Sequence, residues 1–512
     1  MDQLKPDYFS FQPNPQPTPS VPTSTFTAAP INPTPQPPLQ NPLPPRSLIS
    51  KVKPVLFIFG GLFLLIGIIF FIITIFSKST IFSKSNLFSK KSLLKAKITL
   101  TYWGLFEPSS VMQSVIDDYQ KEHPNIKINY SQENLKMYRE RLQAALSRNE
   151  GPDIFRIHQT WIPMLGSQLS TMPASVYDQP TFEKTFYPSA KATLKYNDQY
   201  VAIPLMVDGL ALFYNEDIFK SAGRSPPKTW GELKKLACQL TVKDEQGRIR
   251  TAGVALGTTA NVDHWPDILG LMMLQNGADL SNPAACSKGT EGELGGPTCL
   301  GKDALTFYTL FASDQACSDE GVDVGAVWNS LLPTSTYAFA TGSLAMYFGT
   351  SWRVFDIKGI NDKINFKIVP VPQLPGGNVS WSSYWVEAVS KNSQYQKEAW
   401  EFLKYLSSEK VLQKLYQTES NLRLYFGEPY PRLDMANQVK TQPLVGPFIE
   451  QAPFAKSWYL SSFTSDNGLN QQIIKYYEDA VNLVNQGGDP LSALSTTSQG
   501  VAQVLRQYGL TK

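Results

Sequence analysis

The chain has 512 residues, 42% of them hydrophobic, and its 46 basic and 43 acidic side chains nearly cancel to a formal charge of +3. That length holds a tail and more than one folded domain, and so balanced a charge excludes nucleic acid as the main partner. Ten Trp and 23 Tyr are enough to line a stacking site, although a core uses the same residues.

Residues 1–53, with "FQPNPQPTPSVPTS" and "INPTPQPPLQNPLPP", are proline-rich and poor in charge, and the prolines remove donors and hold the backbone extended. This reads as a disordered tail. Residues 54–76, "PVLFIFGGLFLLIGIIFFIITIF", carry no charge, and a helix of that length covers roughly 34 Å, the depth of a hydrocarbon layer. They read as one transmembrane helix, since the run is too long for a cleaved signal and no small-x-small site follows. Residues 77–96 carry the near-repeat "IFSKST IFSKSN LFSKKS", begun at Ile75. Phe76, Phe82 and Phe88 share no helical face, because six residues turn a helix through about 240°. A basic, aromatic tether lying on anionic headgroups is the reading.

From Ile98 the pattern changes to short β-rich runs alternating with amphipathic helices. "KITLTYWG", "IKINY" and "PDIFRI" read as strands; "PSSVMQSVIDDYQKEHP", with Val111, Val115, Ile116 and Tyr119 on one face, and "LKMYRERLQAALSRNEG" read as helices. Such alternation predicts an α/β fold with a parallel sheet covered on both faces, and ligands gather at the carboxyl ends of its strands. That rule selects Trp103 and the segment holding His158, Gln159 and Trp161. Cys238, Cys286, Cys299 and Cys317 allow two disulfides in three connectivities, or buried thiols. The Gly/Ser-rich loop 279–300 is closed at its base if Cys286 pairs with Cys299. With only three His and no CxxC pair, no metal or cofactor is expected.

"AIPLMVDGLALFYNEDIFKSAG" raises a sharper question, because Asp208 sits inside an apolar run fit for a core. This segment, with "YRERLQAALSRNEGPDIF", "PPKTWGELKKLA", "FATGSLAMYFGTSW" and "KEAWEFLKYLSSEKVLQKLY", resembles the extracellular solute-binding proteins of sugar ABC importers, the family of maltose-binding protein. The resemblance covers residues 97–512. It implies a two-lobed flytrap, with lobes at 97–205 plus 373–417 and at 206–372 plus 418–512, ligand between them and no catalysis. "AIPLMVDG" is then a crossing between lobes, so Asp208 is expected to face sugar hydroxyls. Trp352, after "FATGSLAMYF", and Trp458, in "AKSWYLSS", are the expected stacking residues, with Trp103, Trp161 and Trp265 beside them. From "SWSSYWVEAVS", Trp381, Tyr384 and Trp385 are candidates, of which period two turns at least one away.

The expected function is therefore a membrane-held extracellular receptor that captures a carbohydrate by hinge closure and delivers it to an ABC permease. Flanking charge objects: Lys78, Lys84, Lys90 and Lys91 outnumber Arg46, Lys51 and Lys53, which favours a cytoplasmic C-terminal part. The resemblance outweighs this and places the lobes outside. Two other readings stand: a membrane-held adhesion protein with a flytrap shell, and an exported glycan-processing enzyme using a pair among Asp208, Glu216, Asp217 and Glu387. The latter needs two carboxylates about 5 to 10 Å apart. A phosphorylated solute would need basic groups, for which Arg156 and Arg353 are the candidates.

Overall fold

The computed structural model describes residues 97–287, 298–322 and 324–511. β-Rich alternation makes β1 (Ile98–Gly104), in which Leu100, Tyr102 and Gly104 are buried while Thr99 is exposed and Trp103 half-buried. α1 (Ser109–Glu122) buries Val111, Met112, Val115, Ile116 and Tyr119 at helical spacing. β2 (Ile126–Gln132), α2 (Tyr138–Ser147) and β3 (Ile154–His158) continue the alternation. β3 is buried along its whole length, as a central strand covered on both faces must be. The chain returns as β4 (Ala202–Pro204) and then leaves this sheet through residues 205–210.

A second sheet begins with β5 (Ala211–Asn215). α3 (Trp230–Leu240), opened by a reciprocal Thr229–Glu232 capping box, precedes β6 (Val242–Lys243) and β7 (Ile249–Val254). α4 (Trp265–Asn276) and α5 (Leu300–Leu310) pack together, and β8 (Leu344–Gly349), α6 (Arg353–Ile360) and β9 (Phe366–Val369) follow. The strand order is β9-β5-β8-β7-β6. Residues 370–384 lead back to β10 (Trp385–Val389), which completes the first sheet in the order β2-β1-β3-β10-β4. α7 (Gln396–Leu406) and α8 (Glu409–Arg423) pack on α1. After a third crossing, α9 (Leu469–Asn485) and α10 (Pro490–Gln507) pair and lie against α5. α8 is continuous across residue 417, where the sequence reading ends the first lobe.

In the first sheet the expected parallel pairing holds between β1 and β2 and between β1 and β3. β10 runs antiparallel to both β3 and β4, and in the second sheet only the β7–β8 pair is parallel. The reason is connectivity: β10 is entered from the second crossing without a βαβ return and alone is reversed, whereas β4, reached within the first lobe, runs the same way as β1, β2 and β3.

The crossings are hydrogen-bonded to one another. Val207 N–H donates to the Pro429 carbonyl (3.0 Å), Leu210 N–H to Trp381 (3.1 Å) and Ser383 N–H to Asp208 (3.0 Å). Gly209 lies so close to the second crossing that a Cβ would run into the Trp381 carbonyl. Cys238 is bonded to Cys317 and Cys286 to Cys299, one of the three connectivities. The expected tail, membrane span and tether, residues 1–96, lie outside the described residues, as does the tip of the 279–300 loop. Among the described residues no helix is long and apolar enough to cross a membrane.

Candidate ligand-binding site

Asp208 is 5% exposed and its carboxylate is already engaged. One oxygen accepts from the Ser351 N–H (2.9 Å) and the Gly209 N–H (2.8 Å), the other from the Ser351 hydroxyl (2.9 Å). Burial pushes this carboxyl up to about 7 even though those hydrogen bonds pull the other way. The donors that meet Asp208 thus come from the chain itself. The acid ties the first crossing to the turn that carries Trp352, so it acts on the site through that turn.

Trp352, in the second lobe, is half-buried and its indole lies 5.7 Å from the ring of Phe106, which follows β1 in the first lobe. Trp385, the half-buried first residue of β10, meets the same Phe106 ring at 5.2 Å, edge to face. Trp161 and His158 stand behind Trp385, at 5.2 and 5.3 Å. Trp161 is wholly buried, with no acceptor for its Nε1–H. His158 holds Thr160 Oγ1 (2.7 Å) and Ser383 Oγ (3.1 Å), and burial pushes its pKa down to about 3, so the ring is neutral. Trp352, Trp385, Trp161 and His158 thus form one seam through Phe106.

Other expected site residues lie apart from that seam. Gln159 is buried and spent: its amide donates to the Ser382 carbonyl and Ser457 Oγ and accepts from Thr193 Oγ1. Trp381 is core, its Nε1–H donating to Asp267 at 2.8 Å and its ring lying where a side chain on Gly270 would go. Tyr384 is buried beside Thr193 and Ser189, so of the three aromatic candidates in this segment only Trp385 reaches the seam. Trp265 opens α4 within the core, and half-buried Trp103 packs against the core from β1. Trp458 is half-buried, its ring tilted against Tyr459 (5.6 Å) and edge-on to Tyr477 (6.5 Å).

Beneath Phe106 lies a buried charge cluster. Arg156 donates through Nε to Glu387 (2.6 Å) and through Nη1 to both oxygens of Glu107 (2.6 and 2.7 Å), with Glu428 at 3.7 Å. Burial works to raise Glu107, but the Arg156 charge and a hydrogen bond with Glu428 outweigh it and hold this carboxyl near 2. Burial and the charges of Glu107 and Glu419 drive Glu428 well up, and burial raises Glu387. Glu107, Glu419 and Glu428 lie within 4.8 Å of one another, a spacing a cation would suit, but Arg156 already supplies positive charge there.

The groups that the two alternative readings would use have partners within the chain. Arg156 is consumed by carboxylates, and Arg353 donates to His264 (2.9 Å) and Asp356 (2.7 Å), so neither is set to grip a phosphate. The four carboxylates considered as a glycosidase pair have separate occupations: Asp208 on Ser351, Glu387 on Arg156, Glu216 on Lys367 and Lys220, and Asp217 on Asn365. Sequence reasoning missed Phe106, although "YWGLF" places it just past the carboxyl end of β1, where its own rule looks for ligand contacts.

The profile of bacterial extracellular solute-binding proteins matches residues 114–422. A multiple sugar-binding protein from Streptococcus mutans is 22% identical over 338 residues, 64% of this chain and 74% of the relative. A maltotriose-binding protein from Pyrococcus abyssi is 27% identical over 136 residues, so the alignment spans 26% of this chain and only 29% of that relative. The crystal structure of a cyclic α-maltosyl-1,6-maltose-binding protein from Arthrobacter globiformis shares the two-lobed fold, with a TM-score of 0.61 at 19% identity over 80% of this chain and 100% of the other.

Proposed function

The chain belongs to the bacterial extracellular solute-binding protein family, and from that membership we propose that it is the carbohydrate receptor of an ABC importer. An oligosaccharide enters between the lobes, touches both when they close and so shifts the population toward the closed form, which the permease reads. Residues 54–76 serve as a single-pass anchor with the lobes outside the cell, and the tether 77–96 gives them reach. The sugar-binding relatives support carbohydrate as the ligand class.

The observation that carries this reading is the meeting of Trp352 and Trp385, one from each lobe and both half-buried, on Phe106. A sugar ring has an apolar face and a fringe of hydroxyls, so partly exposed indoles at a lobe boundary suit it. Titration of the full-length chain with mono- and oligosaccharides, maltotriose among them, followed by tryptophan fluorescence, tests the reading. An oligosaccharide changes the emission, and Trp352→Ala weakens its binding about tenfold. Unchanged emission and no heat of binding with any saccharide overturns it.

A further inference from the structure

Arg423 ends α8, and Leu424 after it takes a left-handed conformation (φ 71°) that turns the chain into the third crossing. The Arg423 side chain is 13% exposed, with its guanidinium carbon 4.5 Å from the centre of the Trp352 indole and 5.9 Å from that of Phe355. Phe106 meets the same indole at 5.7 Å. The Trp352 indole is thus held between Phe106, which follows β1, and Arg423 at the end of α8, the helix that packs on α1. A flat cation fits the negative face of an indole, and Arg does so better than Lys because its guanidinium stacks and is weakly hydrated.

Arg423 is itself held from behind. Its Nη1 lies 3.7 Å from Glu419 Oε2, one helical turn earlier, and the same oxygen accepts from the Glu428 N–H at 2.7 Å. Around Glu419 stand Arg423 and Tyr416 from α8, Glu107 from the segment after β1, Arg156 from β3, and Glu428 and Tyr430 from the third crossing. The cluster as a whole sets four carboxylates, Glu107, Glu387, Glu419 and Glu428, against the guanidinium groups of Arg156 and Arg423. Fully ionised it would bury a net negative charge, so it retains protons at neutral pH.

We propose that Arg423 is a positioning residue for Trp352, fixing its indole against Phe106, with Glu419 as the counter-charge that holds the guanidinium in place. The proposal rests on the reading of Trp352 as part of a carbohydrate site. Burial raises the Glu419 carboxyl to about 7, so its counter-charge to Arg423 is present above that pH and lost below it. Loss of the counter-charge loosens the guanidinium from the indole, and ligand affinity falls as the solution is acidified.

The test uses the full-length chain with Arg423→Met, Glu419→Gln and Trp352→Phe. Emission from Trp352, taken as the difference between wild type and Trp352→Phe without sugar, is followed between about pH 5 and about pH 9. It shifts near neutral pH in wild type, and in Arg423→Met and in Glu419→Gln the shift falls to the part contributed by Asp208, whose carboxyl also sits at about 7 against the Ser351 turn. With maltotriose as the probe, the wild-type Kd rises about fivefold on acidification, while Arg423→Met and Glu419→Gln bind weakly at every pH. Glu419→Gln changes no volume and keeps the question open to measurement where Arg423→Met folds poorly. A Trp352 signal that is flat in wild type, or that follows pH equally in Arg423→Met, overturns the positioning role whether or not sugar binds. A signal that obeys Arg423 with no saccharide bound upholds it and ends the carbohydrate reading instead.

Discussion

The Asp208 carboxylate holds both the backbone N–H and the hydroxyl of Ser351, at 2.9 Å each, across 143 positions of sequence. The pairing makes the first crossing between lobes part of the turn that presents Trp352. A group in this role leaves a different signature from a ligand contact.

Asp208→Asn keeps an acceptor for the Ser351 N–H and removes the ionisation. Because the folded carboxyl sits at about 7, above its ordinary value, its contribution to stability is full below about pH 4 and is lost as pH rises through about 7. Thermal or denaturant unfolding across that window should therefore show wild type losing ground to Asp208→Asn as pH rises, by about 1 to 4 kcal/mol at the upper end. Asp208→Ala strands the Ser351 donors and costs about 1 to 3 kcal/mol throughout.

Trp385 and Trp381 lie four positions apart and separate binding from packing. Trp385→Ala removes a partly exposed ring from the Phe106 seam and should weaken oligosaccharide binding about tenfold or more with modest loss of stability. Trp381→Phe leaves Asp267 without its indole donor and should cost about 1 to 3 kcal/mol while the Kd of the folded protein stays put. Isothermal titration beside urea unfolding distinguishes the two.

Arg156→Met leaves Glu107 and Glu387 facing each other without their cation. Unfolding at neutral pH should show a loss of about 3 to 5 kcal/mol, the cost of an uncompensated buried charge. The sign of the pH dependence follows from Glu107, which Arg156 holds near 2: its stabilisation is present above its ordinary pKa and lost as pH falls through about 2. The deficit of Arg156→Met relative to wild type should therefore shrink on acidification, as the stranded carboxyls take up protons.

Cys238 and Cys317 are 79 residues apart in sequence, Cys286 and Cys299 only 13. Loop-closure entropy assigns the longer link about 4.5 kcal/mol and the shorter about 3 kcal/mol. Replacing both cysteines of the longer pair by Ala should lower the melting temperature more than the same change in the shorter pair, as calorimetry would show.

The alternation of strands and helices and the two-lobed family were legible in the sequence, because periodicity reports which face of an element is buried and the motifs recur in a fixed order. Periodicity also showed that one or more of Trp381, Tyr384 and Trp385 must turn away. Which ones turn, which partner Asp208 takes, and that Arg423 rests on Trp352 were decided by tertiary structure alone. A side chain's partner is whatever the folded chain brings within a few ångströms of it. For these residues that partner comes from another crossing or the other lobe, tens to hundreds of positions away, beyond the reach of any local pattern.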